Sequence, residues 1–257
     1  MADEPLIPSC GIRSAVRCYD CLVLILFDIY GTLLRTNGAG MRAMEDAGKA
    51  LFGPGFSYGD IATAGRLDTL IFSDLAQRNG VDDTPENHDR FRSAYRQLLH
   101  DRIGPGSNAE VHRMPGVAEL ITELSRLEDC TLGLLTGNYP ETGRIKVAAA
   151  GLDPDVFIIG AWGGDAPTRR GLPPVAMRRH VERRQRAIEP RRVVIIGDTI
   201  HDVDCAKHNG CRALAVATGG DTYETLSETA PDLLMRDLSD TAAVLSWLDE
   251  IAAVVSE

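Results

Sequence analysis

The chain has 257 residues, of which 44% are hydrophobic and 25% are charged. This composition excludes a disordered chain and is sufficient for a substantial buried core. The 37 acidic residues outnumber the 27 basic residues and give a formal net charge of -10. An acidic chain lacks the positive field that gathers nucleic acid or an anionic membrane, so we predict neither as a partner.

The N-terminal region carries no recognisable targeting signal. The apolar run at residues 22–27 suits a buried strand and is far shorter than the ~20 residues that span a bilayer. The preceding residues lack an apolar stretch followed by a small-residue cleavage site. We therefore expect a cytoplasmic protein in which residues 1–21 form an N-terminal extension. The single Cys18-x-x-Cys21 pair has no second pair at zinc-ligand spacing, which predicts reduced thiols.

Apolar runs alternate with amphipathic segments along most of the chain. Strands are predicted at residues 22–28, 131–136, 156–160, 193–198 and 213–218. Helices are predicted at residues 117–127, 141–150 and 175–188. This alternation predicts an α/β fold with a Rossmann-like parallel sheet, whose functional groups lie at the carboxyl ends of the strands.

Residues 35–112 interrupt the alternation, because they show only helical periodicity. They are predicted to form an all-helical cap domain inserted into a core of residues 22–34 and 113–257. An insertion directly after the first strand would lie over the carboxyl edge of the sheet and exclude water from a reaction there. Phe91 and Tyr95 in this segment are predicted core residues.

Polar residues follow two of the predicted strands. Asp28 emerges from the first strand, and Gly31 permits a tight turn directly behind it. A carboxylate held there can act as a nucleophile or as a metal ligand. Thr136, Gly137 and Asn138 follow a later strand and precede a helix, where a hydroxyl and free backbone N–H groups can hold an anion.

A third strand end carries two carboxylates, Asp198 and Asp202, four residues apart. Together with Asp28 they predict an acidic cluster at the edge of the sheet. Such a cluster would repel an anionic substrate unless a hard cation such as Mg²⁺ neutralised it.

These segments carry a family resemblance. The motifs are Gly65-Arg66-x-Asp68, Pro115-Gly116-Val117, Thr136-Gly137-Asn138, Gly164-Asp165-Ala166 and Gly197-Asp198-Thr199-x-x-Asp202. With the Asp28 segment, the chain resembles the haloacid dehalogenase superfamily, and within it the phosphoglycolate-phosphatase-like hydrolases with a helical cap after the first motif.

The resemblance implies a two-step phosphoryl transfer. Asp28 would attack phosphorus to form an aspartyl-phosphate, which water then hydrolyses. Mg²⁺ would be held by the carboxylates of Asp28 and Asp198 and the backbone carbonyl of Tyr30, with Asp202 in support.

The substrate implied by the resemblance is a small phosphomonoester such as phosphoglycolate. Thr32, Thr136, Gly137, Asn138 and Arg66 are expected to bind it. The protein would act as a monomer or a homodimer.

The family also places a cation, usually Lys, beside the nucleophile. The chain contains only three lysines, and the expected slot, at residues 168–173, holds Arg169 and Arg170 instead. Lys146, on the helix after Thr136, is the other candidate. The sequence leaves the choice between Lys146 and the two arginines open.

Tyr30 departs from the phosphatase pattern, which has a second Asp two residues after the nucleophile as general acid and base. A phenol is a poor base near neutral pH, so catalysis is expected to be impaired, mostly in the second step. L-2-haloacid dehalogenases carry Tyr at this position, need no metal and typically lack the Gly-Asp-Thr-x-x-Asp motif. A dehalogenase with an aspartyl-ester intermediate and a non-catalytic binder of phosphorylated ligands remain the alternatives.

Overall fold

The computed structural model of the protein describes residues 23–107 and 111–253. The predictions for the N-terminal extension and for Cys18 and Cys21 therefore lie outside the described residues. In chain order the described strands are β1 (Val23–Phe27), β2 (Leu34–Arg35), β3 (His112–Arg113), β4 (Cys130–Leu135), β5 (Ile159–Ala161), β6 (Val193–Gly197), β7 (Arg212–Val216) and β8 (Leu233–Met235). The described α-helices are α1 (Ala39–Phe52), α2 (Asp68–Arg78), α3 (Pro85–Ile103), α4 (Val117–Ser125), α5 (Pro140–Ala149), α6 (Leu172–Arg184), α7 (Ile200–His208), α8 (Tyr223–Glu228) and α9 (Thr241–Ala253).

Six strands form one parallel sheet in the order β5-β4-β1-β6-β7-β8. This confirms the predicted α/β fold. The central strand β1 is apolar throughout because both of its faces are covered: Ile25 and Phe27 belong to one hydrophobic cluster, and Leu24 and Leu26 to another. Phe27 lies opposite Leu134 of β4 on one side and Ile196 of β6 on the other. The residues that follow these three strands therefore meet at one edge of the sheet.

Two features of the sheet differ from the predictions. The third strand was expected at residues 156–160, but residues Pro154–Val156 form a 3₁₀ turn and β5 spans Ile159–Ala161. Proline suits the first position of such a turn, and the Asp153 side chain caps it by accepting a hydrogen bond from the Asp155 N–H group at 2.9 Å. The short edge strand β8 was not predicted, because its three residues are only half buried and carry no pattern that sets them apart from a loop.

The segment between β2 and β3 contains helices α1, α2 and α3. β2 and β3 pair antiparallel, so the chain leaves and re-enters the α/β part through a short two-stranded ribbon. The helices pack around their own buried cluster, which includes Phe72, Phe91 and Tyr95. Thr84 caps α3 by accepting a hydrogen bond from the N–H group of Asn87 at 3.2 Å. Among the described helices, none combines the length and apolar character needed to cross a membrane.

Candidate active site

Three buried carboxylates meet at the carboxyl edge of the sheet. Asp28 follows β1, Asp198 follows β6, and Asp202 lies in the first turn of α7. One ligand oxygen from each lies within 4.8 Å of the others. Asp202 is fixed by Thr199, whose backbone N–H and hydroxyl donate to it at 3.1 and 2.8 Å. The Thr-x-x-Asp spacing therefore forms a capping box that orients one carboxylate of the cluster.

Asp198 is held by two loops that approach it closely. The Thr32 hydroxyl donates to its carboxylate at 2.9 Å, and the Gly220 N–H group donates at 2.8 Å. Gly31 has a positive φ of 85°, and a Cβ atom there would lie 2.4 Å from an Asp198 oxygen. Glycine at position 31 thus allows both the turn and the close approach. Thr32 was predicted to bind substrate, but its hydroxyl is engaged with Asp198 and it does not line the cavity described below.

Arg169 and Arg170 point in different directions. A guanidinium nitrogen of buried Arg169 lies 3.2 Å from Asp28 and also bonds to Asp202. The exposed Arg170 turns away and forms a bidentate pair with Asp204, at 2.7 and 2.6 Å. Successive side chains of a 3₁₀ turn diverge around its axis, and these two residues begin such a turn. The structure therefore brings Arg169 to the carboxylates and leaves Arg170 outside.

The charges of the cluster are strongly interdependent. Burial raises the pKa of Asp28, and Asp202 raises it further, while Arg169 and hydrogen bonds from Ile29 and Thr136 act in the opposite direction. Burial, followed by repulsion from Asp28 and Asp202, raises the pKa of Asp198 to about 7. Burial opposes the charge of Arg169, but the two neighbouring aspartates outweigh this effect and raise its pKa. Negative charge thus exceeds what Arg169 alone compensates.

This donor set fits a magnesium ion. Mg²⁺ prefers hard oxygen ligands, and the cluster offers carboxylate oxygens from three chain segments within reach of one ion. Burial and repulsion from Asp28 and Asp202 together raise the pKa of Asp198, and a divalent cation would relieve the repulsion.

The loop after β4 lies beside Asp28. The Thr136 side chain accepts a hydrogen bond from the Asn138 amide at 2.7 Å, and the Asn138 carbonyl accepts one from the ammonium group of Lys146. Lys146 is buried on α5. Burial lowers its pKa, although Asp68 and Asp28 favour its charge. Both cation candidates, Lys146 and Arg169, therefore lie at the site.

A cavity of about 320 Å³ opens between the sheet edge and the helical segment. Its size suits a small ligand. From the α/β part it is lined by Asp28, Thr136, Gly137, Asn138, Lys146, Arg169 and Asp198. From the helical segment and its flanking loops it is lined by Met41, Met44, Tyr58, Arg66, Asp68, Ile71 and Tyr95.

Two further predicted residues, Tyr30 and Arg66, line the cavity. Tyr30 remains 46% exposed at its wall. Arg66 also lines it, but its guanidinium forms an ion pair with Asp74 at 2.5 Å and approaches the carbonyl of Ala62 at 3.4 Å. Arg66 is therefore already paired within the helical segment.

Asp68, Tyr58 and Tyr95 line the cavity but were not among the predicted site residues. For Asp68 the Gly65-Arg66-x-Asp68 motif was the available sequence signal. Tyr95 was predicted to be a core residue, and it does belong to the hydrophobic cluster of the helical segment. The Asp68 carboxylate accepts a hydrogen bond from the backbone N–H of Tyr139 at 3.1 Å. Burial raises the pKa of Asp68 to about 6, against the effect of Lys146.

Known proteins are similar to this chain over most of its length. Residues 169–241 match the family described as HAD-hydrolase-like. The phosphoglycolate phosphatase of Vibrio vulnificus strain CMCP6 is 28% identical over 224 residues, which cover 86% of this chain and 95% of that protein. The phosphoglycolate phosphatase of Vibrio parahaemolyticus is 25% identical over 225 residues, with 87% and 96% covered.

Solved structures share the fold. A hydrolase from Pseudomonas syringae superposes with a TM-score of 0.62 and 21% identity, over 89% of this chain and 99% of that one. CbbY from Rhodobacter sphaeroides in complex with phosphate superposes with a TM-score of 0.64 and 20% identity, over 85% and 96%. The chain is therefore similar to haloacid dehalogenase-like hydrolases over residues 169–241, and over most of its length to phosphoglycolate phosphatases.

Proposed function

We propose that the protein is a Mg²⁺-dependent phosphatase that hydrolyses a small phosphomonoester, such as phosphoglycolate, through an aspartyl-phosphate on Asp28. The observation that carries this proposal is the position of Asp28. It lies in the cavity with the guanidinium of Arg169 at 3.2 Å and the carboxylates of Asp198 and Asp202 around it. Curated relatives that match 86% of the chain are phosphoglycolate phosphatases.

The chain's own residues supply the nucleophile and the groups that would hold the phosphoryl oxygens. An Asp28 oxygen attacks phosphorus, the bond from phosphorus to the ester oxygen breaks, and the alkoxide leaves. Water then attacks phosphorus, which releases inorganic phosphate and restores the carboxylate. The Thr136 hydroxyl and the N–H groups around Gly137 would hold the phosphoryl oxygens. Asn138 orients Thr136 through the hydrogen bond at 2.7 Å.

Asp28, Asp198 and the backbone carbonyl of Tyr30 would hold Mg²⁺, with Asp202 in support. When bound, the ion supplies the positive charge that allows a phosphate group to enter an acidic site. Arg169 bonds to Asp202 and Asp28 together and so keeps both carboxylates in place.

Tyr30 is the reason that we expect a low rate of catalysis. A carboxylic acid at this position would protonate the leaving alkoxide and then activate water, and a phenol replaces it poorly in both roles. Esters with good leaving groups need the least help from an acid. We therefore expect faster formation of the phosphoenzyme from aryl phosphates than from alkyl phosphates, and slow hydrolysis of the phosphoenzyme from either.

A metal-independent 2-haloacid dehalogenase is the second candidate. Tyr30 at the cavity wall favours this candidate. Arg169 favours it too, because its guanidinium offsets part of the negative charge of the carboxylates without a metal. A halide leaves without a proton, so this reaction does not need the missing acid. Asp198 argues against it, because a dehalogenase has no use for a further carboxylate beside the nucleophile.

One experiment separates these possibilities. Phosphate release from p-nitrophenyl phosphate and phosphoglycolate is measured with Mg²⁺ and with chelator, and chloride release from 2-chloropropionate is measured in the same two conditions. The proposal predicts Mg²⁺-dependent phosphate release that Asp28→Asn abolishes. Chloride release in chelator would instead support the dehalogenase. Tight binding of phosphate without turnover of any ester would identify a non-catalytic binder.

A further inference from the structure

The wall of the cavity carries a buried ammonium group. Lys146 lines the cavity and is only 6% exposed. Within the described part of the chain its ammonium group makes one hydrogen bond, to the side-chain carbonyl of Asn138, and no carboxylate lies within ion-pair distance of it. An ammonium group has three N–H donors. Lys146 therefore has donor capacity left for a ligand.

Two phenol hydroxyls in the same cavity lack partners. Tyr58 and Tyr95 are 3% and 0% exposed, both line the cavity, and neither hydroxyl makes a hydrogen bond in the described part of the chain. The side chain of Thr142 lies near the Tyr95 hydroxyl but does not satisfy it with normal geometry. Buried hydroxyls are normally hydrogen-bonded, so two orphans in one cavity indicate a ligand that accepts from them.

Lys146 and Tyr95 face the same empty space. A Cβ atom added to Gly40, on the first turn of α1, would lie 3.4 Å from the Tyr95 hydroxyl and 3.5 Å from the Lys146 nitrogen. The absence of a side chain at Gly40 thus leaves room between the two donors. Gly40 itself lines the cavity.

We infer that Lys146, Tyr58 and Tyr95 form a second anion subsite that receives a carboxylate carried by the substrate beside its phosphate. This inference rests on the proposed function and assigns specificity to Lys146, leaving the cationic role beside the nucleophile to Arg169. Lys146, Tyr58 and Tyr95 each have at least one hydrogen-bond donor that is not in use. Such a set favours a ligand group that only accepts hydrogen bonds. A carboxylate is such a group, and a sugar hydroxyl is not.

Asp68 is the one acid of the helical segment among the cavity-lining residues, and its charge opposes a carboxylate ligand. It accepts a hydrogen bond from the Tyr139 N–H group at 3.1 Å and is offset by Lys146. Lys146 is also attracted by Asp28, so this member of the subsite is within electrostatic reach of the nucleophile. The apolar side chains of Met41, Met44 and Ile71 line the same cavity and offer few partners to a polyhydroxylated substrate. A short phosphorylated acid fits these surroundings best.

The test compares phosphoglycolate with ethyl phosphate, which has a methyl group in place of the carboxylate. The quantity measured is the ratio of kcat/KM for the two esters in the natural chain, in Lys146→Met and in Lys146→Arg. Lys146→Met is expected to lower this ratio about tenfold or more, mainly through KM, and Lys146→Arg should restore part of it. Tyr95→Phe should lower the ratio by a smaller factor. Lys49→Met removes an exposed lysine of α1 that pairs with Glu45 and should leave the ratio unchanged.

A binding measurement separates failure of the subsite from failure of the proposed function. Calorimetric titration of the Asp28→Asn protein with each ester requires no turnover. If the natural chain hydrolyses neither ester, but the Asp28→Asn protein still binds phosphoglycolate more tightly than ethyl phosphate in a way that depends on Lys146, the phosphatase proposal is overturned and the subsite is kept. Equal affinity for the two esters, or an equal loss for both in Lys146→Met, would overturn the subsite.

Discussion

A guanidinium nitrogen of Arg169 lies 3.2 Å from a carboxylate oxygen of Asp28, and both side chains are buried. The same guanidinium bonds to Asp202, so one cation links the carboxylate that would attack the substrate to the carboxylate at the start of α7. Its Nε atom is buried without a hydrogen-bond partner. Arg169 is therefore held mainly by the acidic cluster.

Arg169→Met should destabilise the protein and reduce its activity. Removing the cation leaves two buried carboxylates uncompensated, and breaking a buried ion pair in this way costs about 3–5 kcal/mol. Urea denaturation measures the loss, and Arg169→Lys should recover part of it. Arg170→Met removes an exposed ion pair with Asp204 and should cost less than about 1 kcal/mol. Equal costs for Arg169→Met and Arg170→Met would contradict the assigned geometry.

The parallel sheet and the meeting of the carboxylates at one of its edges could be predicted because both follow from buried apolar runs. A run such as that of β1 predicts a central parallel strand, and the polar residue that ends it must lie at the carboxyl edge. The choice between Arg169 and Arg170 could not be made, because adjacent residues in a 3₁₀ turn diverge and the sequence does not show which one points inward. Tyr58 and Tyr95 were missed because a tyrosine that lines a cavity has the same sequence pattern as one in a core.

Gly137→Ala should disturb the contact between the helical segment and the loop after β4. A Cβ atom at Gly137 would lie 1.9 Å from the carbonyl oxygen of Arg66, and the Gly137 carbonyl accepts a hydrogen bond from the Asp68 N–H at 2.7 Å. Backbone on both sides must shift, so we expect a stability loss of about 1–3 kcal/mol and a raised KM. Gly55→Ala, where a Cβ atom meets open space, is the control. An unchanged melting temperature and KM in Gly137→Ala would show that this contact is not rigid.

Asp68→Asn should stabilise the protein more at neutral than at acidic pH. Burial raises the pKa of Asp68 from 3.8 to about 6, so the folded state binds an additional proton between these two values. Its stability therefore falls as the pH rises through this window and stays low above it. Asparagine carries no charge to bury and keeps an acceptor for the Tyr139 N–H group. Urea denaturation should show a gain over the natural chain that is about 1 kcal/mol larger at pH ~7.5 than at pH ~5. A gain that shrinks with rising pH would contradict the assignment.

Mg²⁺ should raise the melting temperature of the natural chain in the absence of substrate. Binding to the folded state alone stabilises it by mass action, by about 2.7 kcal/mol when the ion is at a hundred times its dissociation constant. Asp198→Asn should abolish the shift, because it removes a carboxylate from the cluster. Asp204→Asn, which changes an exposed acid of α7 paired with Arg170, should retain it. If Mg²⁺ raised the melting temperature of Asp198→Asn by the same amount, the ion would bind at a site other than this cluster.

The most direct test of the account is the steady-state rate of p-nitrophenyl phosphate hydrolysis with saturating Mg²⁺ in the natural chain, in Tyr30→Asp and in Tyr30→Phe. Tyr30 lines the cavity beside Asp28 and is 46% exposed, so either change is expected to leave the fold intact. A restored general acid and base predicts a rate about 10²-fold or more higher in Tyr30→Asp. Tyr30→Phe should show no such rise. No gain in Tyr30→Asp, or an equal gain in both variants, would contradict a phosphatase framework limited by Tyr30.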